Sequence, residues 1–219
     1  MTIPNISFFF DNDPDNFIDR HLCPNIIPVQ INDSNLLMMD QLNKYTSQRD
    51  LKKYIKTLSK PAQKFAKSMN MLGNTGYDPF SGITPEQCKY FYYLIKKNNN
   101  IKAFIFDWDR TITVFEGIYA IKPTVKGVLK DLDLKKIRVK DVAEYYFGGA
   151  KRLKCLQRLW KILKKNKIDI WILSSNPAIG ELPLFFLNLL DSVNLSIKPN
   201  HIIYKGNHTK YQCLNKLDI

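Results

Sequence analysis

The stretch IKAFIFDWDRTIT, residues 101–113, decides how the chain reads. Its first half is a short continuous apolar run, the pattern of a strand covered on both faces in a parallel sheet. Two carboxylates one residue apart, Asp107 and Asp109, follow at once, and then the hydroxyl of Thr111. Paired acids are commonplace on protein surfaces. At the end of a buried strand they matter more, because ligands of open α/β sheets bind in the crevice beyond the carboxyl ends of the strands.

Outward from this stretch the same grammar repeats. A second apolar run, IDIWIL at residues 168–173, ends in Ser174-Ser175-Asn176-Pro177, and a third, HIIY at residues 201–204, ends in the turn Lys205-Gly206-Asn207. Between the first two, Leu153, Leu156, Leu159, Trp160 and Leu163 mark an amphipathic helix; between the second and third lies an apolar helix around Leu182 to Leu190. Strands alternating with helices predict right-handed crossovers and a doubly wound, Rossmann-like α/β sheet. Asp107, Asp109 and Ser174 then all fall at the ligand crevice.

FIFDWDRTIT resembles the first motif of the haloacid dehalogenase-like (HAD) superfamily, an apolar strand followed by Asp-x-Asp-x-Thr, and WILSSN resembles the second, an apolar strand ending in Ser or Thr. HTKYQCLNKL, residues 208–217, is similar to the third, with Lys210 at the head of a helix; Lys205 is the alternative, and Lys210 is preferred. Composition and motifs together look similar to uncharacterised HAD-like proteins of large DNA viruses. The resemblance covers residues 101 to about 217. It implies a phosphatase-type hydrolase in which Asp107 attacks phosphorus to form an aspartyl-phosphate, and Asp109 protonates the leaving oxygen and then takes a proton from water. Ser174 would hydrogen-bond the phosphoryl oxygens and Lys210 would balance their charge. Mg²⁺ would sit between Asp107 and the phosphate, with the Asp109 backbone carbonyl as a further ligand. Thr111, Ser175, Asn176 and Lys205 are secondary candidates for substrate contact, each with an ordinary role as a cap, turn or solvated residue beside it. Trp108 reads as a packing residue, and Arg110 as a solvated one within reach of a phosphate.

One part of the pattern is missing. The family's fourth motif is an acidic pair, or Gly-Asp-x-x-x-Asp, at the end of one more strand, where it helps to hold magnesium. No apolar strand follows Lys210, and Asp218 has none to aim it. Three explanations stay open: truncation from a longer ancestor, an acid borrowed from the acidic N-terminal segment FDNDPDNFID (residues 10–19), or loss of the metal. The last makes a catalytically inactive HAD-fold binding protein the rival to the enzyme.

The first hundred residues read as an N-terminal extension. Residues 1–30, with Pro4, Pro14, Pro24 and Pro28, show no sustained period and are expected to be extended or poorly ordered. A helical pattern begins at Ser34, with Leu51, Tyr54, Ile55 and Leu58 on one face and Pro61 interrupting or restarting it. A loop, GNTGYDPFSG at residues 73–82, leads to Thr84, Pro85 and Gln87, a capping box that opens a helix running to Asn98-Asn99-Asn100. Within the core, residues 114 to about 150 are too long for a simple crossover and read as a small, mostly helical cap that returns at Gly148-Gly149.

The 219 residues and 45% apolar content suffice for a sizeable core. No window suits a membrane span and no secretory signal opens the chain, so an intracellular, cytoplasmic protein is expected. Cys23, Cys88, Cys155 and Cys213 lack zinc spacing and read as free thiols; His21, His201 and His208 read as surface or capping residues. Charge is uneven: residues 1–50 carry net −4, so the rest of the chain carries +17. Much of the excess lies in KRLKCLQRLWKILKKNK, residues 151–167, where Lys151, Lys154, Arg158, Lys161 and Lys165 form a basic stripe opposite the leucines. Nucleic acid is the partner such a stripe suggests. With no aromatic residue interleaved on that face, a solvated helix surface is the favoured reading.

Overall fold

The computed structural model describes residues 5–31, 53, 55–64, 82–114 and 139–217. Among them five strands occur: β1 (Ile6–Asp11), β2 (Ile26–Gln30), β3 (Ile101–Phe106), β4 (Asp169–Ser174) and β5 (Ile202–Tyr204). The helices are α1 (Pro85–Lys97), α2 (Val139–Tyr146), α3 (Gly149–Lys165), α4 (Pro177–Glu181), α5 (Pro183–Asp191) and α6 (Lys210–Leu214). All five strands are parallel, in the order β2-β1-β3-β4-β5. The parallel α/β sheet expected from the three apolar runs is therefore present, with two more strands than those runs supply.

The extra strands correct the reading of the N-terminal segment. An extended or poorly ordered segment is the expectation for residues 1–30; its extended part proves to be a sheet strand, β1, an interior strand beside the central β3, with Phe8 opposite Phe104, Phe9 opposite Ile105 and Phe10 opposite Phe106. Pro28 lies inside β2, where it is tolerated because β2 is the edge strand. The sheet thus draws strands from both sides of residue 100. From β1 the chain steps outward to β2, and from β3 it steps the other way to β4 and β5, so the topological switch lies between β1 and β3.

Alternation divides the strands between two cores. Phe8, Phe10, Phe104, Phe106, Ile170 and Ile172 face one side, where they meet Phe91 of α1 and Leu156, Leu159, Trp160 and Leu163 of α3. Phe10, Phe106 and Trp160 form a continuous stack, with ring centroids 4.9 and 5.2 Å apart. Phe9, Ile105 and Leu173 face the other side, against Cys23, Tyr211 and Leu214. Fully burying one such ring contributes roughly 1.5–3 kcal/mol, so the aromatic layer dominates the pairing of β1 with β3.

Local signals behave as their chemistry requires. The Thr84–Gln87 capping box opens α1 behind Pro85, and Asn98 ends it. Residues 55–57 are helical, and helix resumes at residue 60 with Pro61 in its first turn; Ile55 and Leu58 are buried. Gly148 adopts φ 81° immediately before α3, and a Cβ there would lie 2.8 Å from Cδ of Arg152. Expectations for residues 32–52, Tyr54, the loop at 73–81, the cap at 115–138 and Asp218 fall outside the described residues. All four cysteines are free, two buried and two half-buried. His201 is not a surface residue: it is buried, with Nδ1 3.0 Å from the Ile170 carbonyl and its ring stacked 3.7 Å from Trp171. Among the described residues no helix is long and apolar enough to cross a membrane.

Candidate active site

The register of β1 against β3 places their last residues side by side. Phe10 pairs with Phe106, and the Asp107 N–H donates to the Phe10 carbonyl at 2.8 Å, so Asp11 and Asp107 emerge together at the carboxyl edge. Lys210 joins them from below, its Nζ 2.6 Å from Oδ2 of Asp11 and 2.6 Å from Oδ1 of Asp107. The Thr209–Gln212 capping box fixes the start of α6 and therefore the origin of the Lys210 side chain. All three groups are buried.

This cluster forms the floor of a cavity of about 160 Å³. Asn12, Asp13 and Asn16 line it from the turn after β1, Asp109 and Arg110 from the turn after β3, and Ser174 and Ser175 from the end of β4. The four residues expected to do chemistry, Asp107, Asp109, Ser174 and Lys210, are thus brought together, and Ser175 with them. The others are not. Thr111 is fully buried and its hydroxyl donates to Oδ1 of Asn12 at 3.3 Å, so it braces the two acidic turns against each other. Asn176 caps α4 by accepting from the Ala178 N–H. Lys205 points to the His208 carbonyl instead of into the cavity.

The turn after β3 is held in an unusual form. Residues Trp108–Ile112 make a single wide turn closed by the Thr113 N–H donating to the Trp108 carbonyl, with Arg110 at φ 53° in the left-handed region. Such strain persists only where neighbours over-determine the backbone. Trp108 is buried edge-on between Phe147 and Phe186. From α3, the buried Arg152 guanidinium donates to the carbonyls of Ile83, Thr111, Ile112 and Phe147 at 2.7–3.0 Å, tying the turn to two other segments.

Electrostatics follow from burial. Desolvation pushes the Asp107 carboxyl well above the usual range; the Lys210 ammonium opposes this, while Asp11 and Asp109 add to it. Burial works to lower the Lys210 ammonium, but the two carboxylates overcome it and hold its pKa above that of a free lysine. Once Asp107 is ionised, two acids against one buried cation leave an excess of negative charge at the cavity floor. The donors around the cavity are carboxylate, amide and hydroxyl oxygens, a set suited to a hard cation such as Mg²⁺. Among the described residues no three His, Cys, Asp or Glu side chains converge on one point. An ion here would need backbone carbonyl, water or substrate oxygens to complete its shell, as magnesium commonly does.

Asp11 is the residue that local reading of the sequence did not assign to the site. Its signal was nonetheless in view: FFFDND, residues 8–13, repeats the pattern of FIFDWD, residues 104–109, and the two lie in register. Ser174 shows how β4 contributes, since its Oγ accepts from the Asn176 N–H at 3.0 Å and keeps its own hydrogen available to a ligand. No protein-family model, no curated protein and no solved structure matches the chain.

Proposed function

We propose that the chain is a HAD-like phosphohydrolase whose fourth acidic motif stands at the front of the sequence, on β1. The observation that carries this reading is the Lys210 bridge between Asp11 and Asp107, at a cavity that Asp109 and Ser174 also line. The inactive-module alternative rested on the absence of a further strand ending in an acid; β1 is such a strand, adjacent to the one that ends at Asp107.

In this reading the Asp107 carboxylate attacks a phosphomonoester in line, the bond from phosphorus to the ester oxygen breaks, and Asp109 delivers a proton to that oxygen. Water then attacks the aspartyl-phosphate, Asp109 takes the water proton, and Asp107 and inorganic phosphate are regenerated. Ser174 donates a hydrogen bond to a phosphoryl oxygen, and Lys210 offsets charge on nucleophile and phosphate. Asp107, Asp11 and the Asp109 carbonyl would hold Mg²⁺, which when bound supplies Lewis-acid stabilisation of the phosphoryl charge.

The test is hydrolysis of an aryl phosphate with and without Mg²⁺ by the natural protein and by Asp107→Asn. Metal-dependent turnover that disappears in the variant supports the reading. Absence of turnover, together with no heat of Mg²⁺ binding, rejects it and leaves a non-catalytic binding protein.

A further inference from the structure

The sequence sets the basic stripe of α3 apart from any aromatic residue; the fold does not. α1 lies beside α3 on the same side of the sheet, with the Tyr92 hydroxyl donating to the Cys155 carbonyl at 3.4 Å and the Arg158 guanidinium 5.2 Å from the centre of the Tyr92 ring. The outer faces of the two helices therefore form one surface. On α1 that surface carries exposed Lys89 and Lys96, and two tyrosines, Tyr90 and Tyr93, that are 53% and 54% exposed. Lys97 stands 5.6 Å over the Tyr93 ring.

On α3 the exposed residues include Lys151, Lys154, Arg158, Lys161 and Lys165, and the helix contains no acid. Among the described residues no carboxylate forms an ion pair with any of these five. A solvated helix face accounts for lysines; it does not account for two large rings left in water on the adjoining helix. Cations that track phosphates, interleaved with aromatic faces on which bases stack, are the two components of single-strand recognition. Duplexes fit less well, since their bases are already stacked and out of reach of such rings.

We propose that the joint outer face of α1 and α3 binds single-stranded nucleic acid, with the α3 cations on its phosphates and Tyr90 and Tyr93 under its bases. This surface is separate from the cavity at the carboxyl edge and does not depend on phosphatase activity.

The experiment is fluorescence anisotropy with a labelled 20-nucleotide oligothymidylate and, in parallel, a 20-base-pair duplex, titrated with the full chain between 50 and 300 mM salt. Binding of the single strand should fall with salt at a log–log slope of about −0.7 per phosphate contact, near −3 for four contacts. The triple variant Lys154→Glu, Lys161→Glu, Lys165→Glu should lose at least tenfold in affinity and flatten the slope. Tyr90→Ala with Tyr93→Ala should weaken the oligothymidylate at least fivefold with the slope unchanged. Equal affinity for the duplex together with indifference to the tyrosine variant would make this a general polyanion surface and overturn the proposal. So would no binding at 50 mM salt.

Discussion

The Lys210 ammonium lies 2.6 Å from the Asp11 carboxylate and ties α6 to β1, an interior strand of the sheet. Both side chains are almost wholly shielded from water, so neither charge can be solvated if the other is lost. Lys210→Met would leave Asp11 and Asp107 facing each other unpaired. Breaking a buried pair in this way typically costs about 3–5 kcal/mol. Urea unfolding should register that loss in full at about pH 9, where Asp107 is ionised, and a smaller one at pH 5, where the proton that Asp107 retains stands between the two carboxyls in place of the ammonium. Equal losses at both pH values would contradict the assignment.

Asp107 gives the protein without metal a pH dependence of definite sign. Its folded pKa is raised, chiefly by burial, above the unfolded value of about 4. Above that value the unfolded chain has released a proton that the folded site retains, so stability from this group is full at low pH and declines as pH rises towards the folded pKa. Lys210, whose pKa is also raised, holds its proton throughout this range and adds no slope there. Thermal unfolding in the presence of a chelator, from pH 5 to pH 8, should show the decline, and Asp107→Asn should reduce it. Mg²⁺ affinity should rise over the same range as the competing proton leaves.

Asp11→Asn separates the metal-holding role of β1 from simple packing. The substitution keeps the size of the side chain and one acceptor for Lys210, but removes a negative charge from the cavity floor. Under the proposed reading, turnover of an aryl phosphate should fall by two orders of magnitude or more, and the Mg²⁺ concentration for half-maximal activity should rise. Because Lys210 keeps its pairing with Asp107, stability should fall by about 1.5–3 kcal/mol, the scale of a hydrogen bond to a charged group, and not by the full cost of an unpaired buried charge. Full activity at unchanged metal dependence would remove Asp11 from the site.

What could be read from the sequence depended on how local the signal was. β3 and β4 announce themselves because each is an uninterrupted apolar run with an amphipathic helix next to it, and Asp107, Asp109 and Ser174 follow from their ends. β1 has an equally apolar run, yet its neighbours are prolines and acids, and its partner β3 lies far along the chain. Only the pairing of Phe8 with Phe104 and Phe10 with Phe106 shows that FFFDND and FIFDWD are two halves of one edge. Arg152 was hidden for a related reason. Within KRLKCLQRLWKILKKNK it looks like one more solvated cation, and its burial depends on three segments that meet at the start of α3. Tyr90 and Tyr93 lie far from residues 151–167 in the sequence, and only the packing of α1 beside α3 brings them to the same side of the sheet.

Arg152 offers the sharpest contrast between a surface and a structural cation. Its guanidinium satisfies four backbone carbonyls, two of them in the strained turn that carries Asp109 and Arg110. Each carbonyl left buried without a donor costs about 1–3 kcal/mol, so Arg152→Met should destabilise the protein by more than about 3 kcal/mol. Arg152→Lys should recover little, because a single ammonium cannot reproduce the planar fork that spans four acceptors. Lys154→Met, two residues on and on the exposed face, should stay within about 0.5 kcal/mol of the natural protein. Denaturant midpoints for the three variants would decide the matter: similar values for Arg152→Met and Lys154→Met would mean that the turn after β3 is held by the packing of Trp108 and not by the arginine.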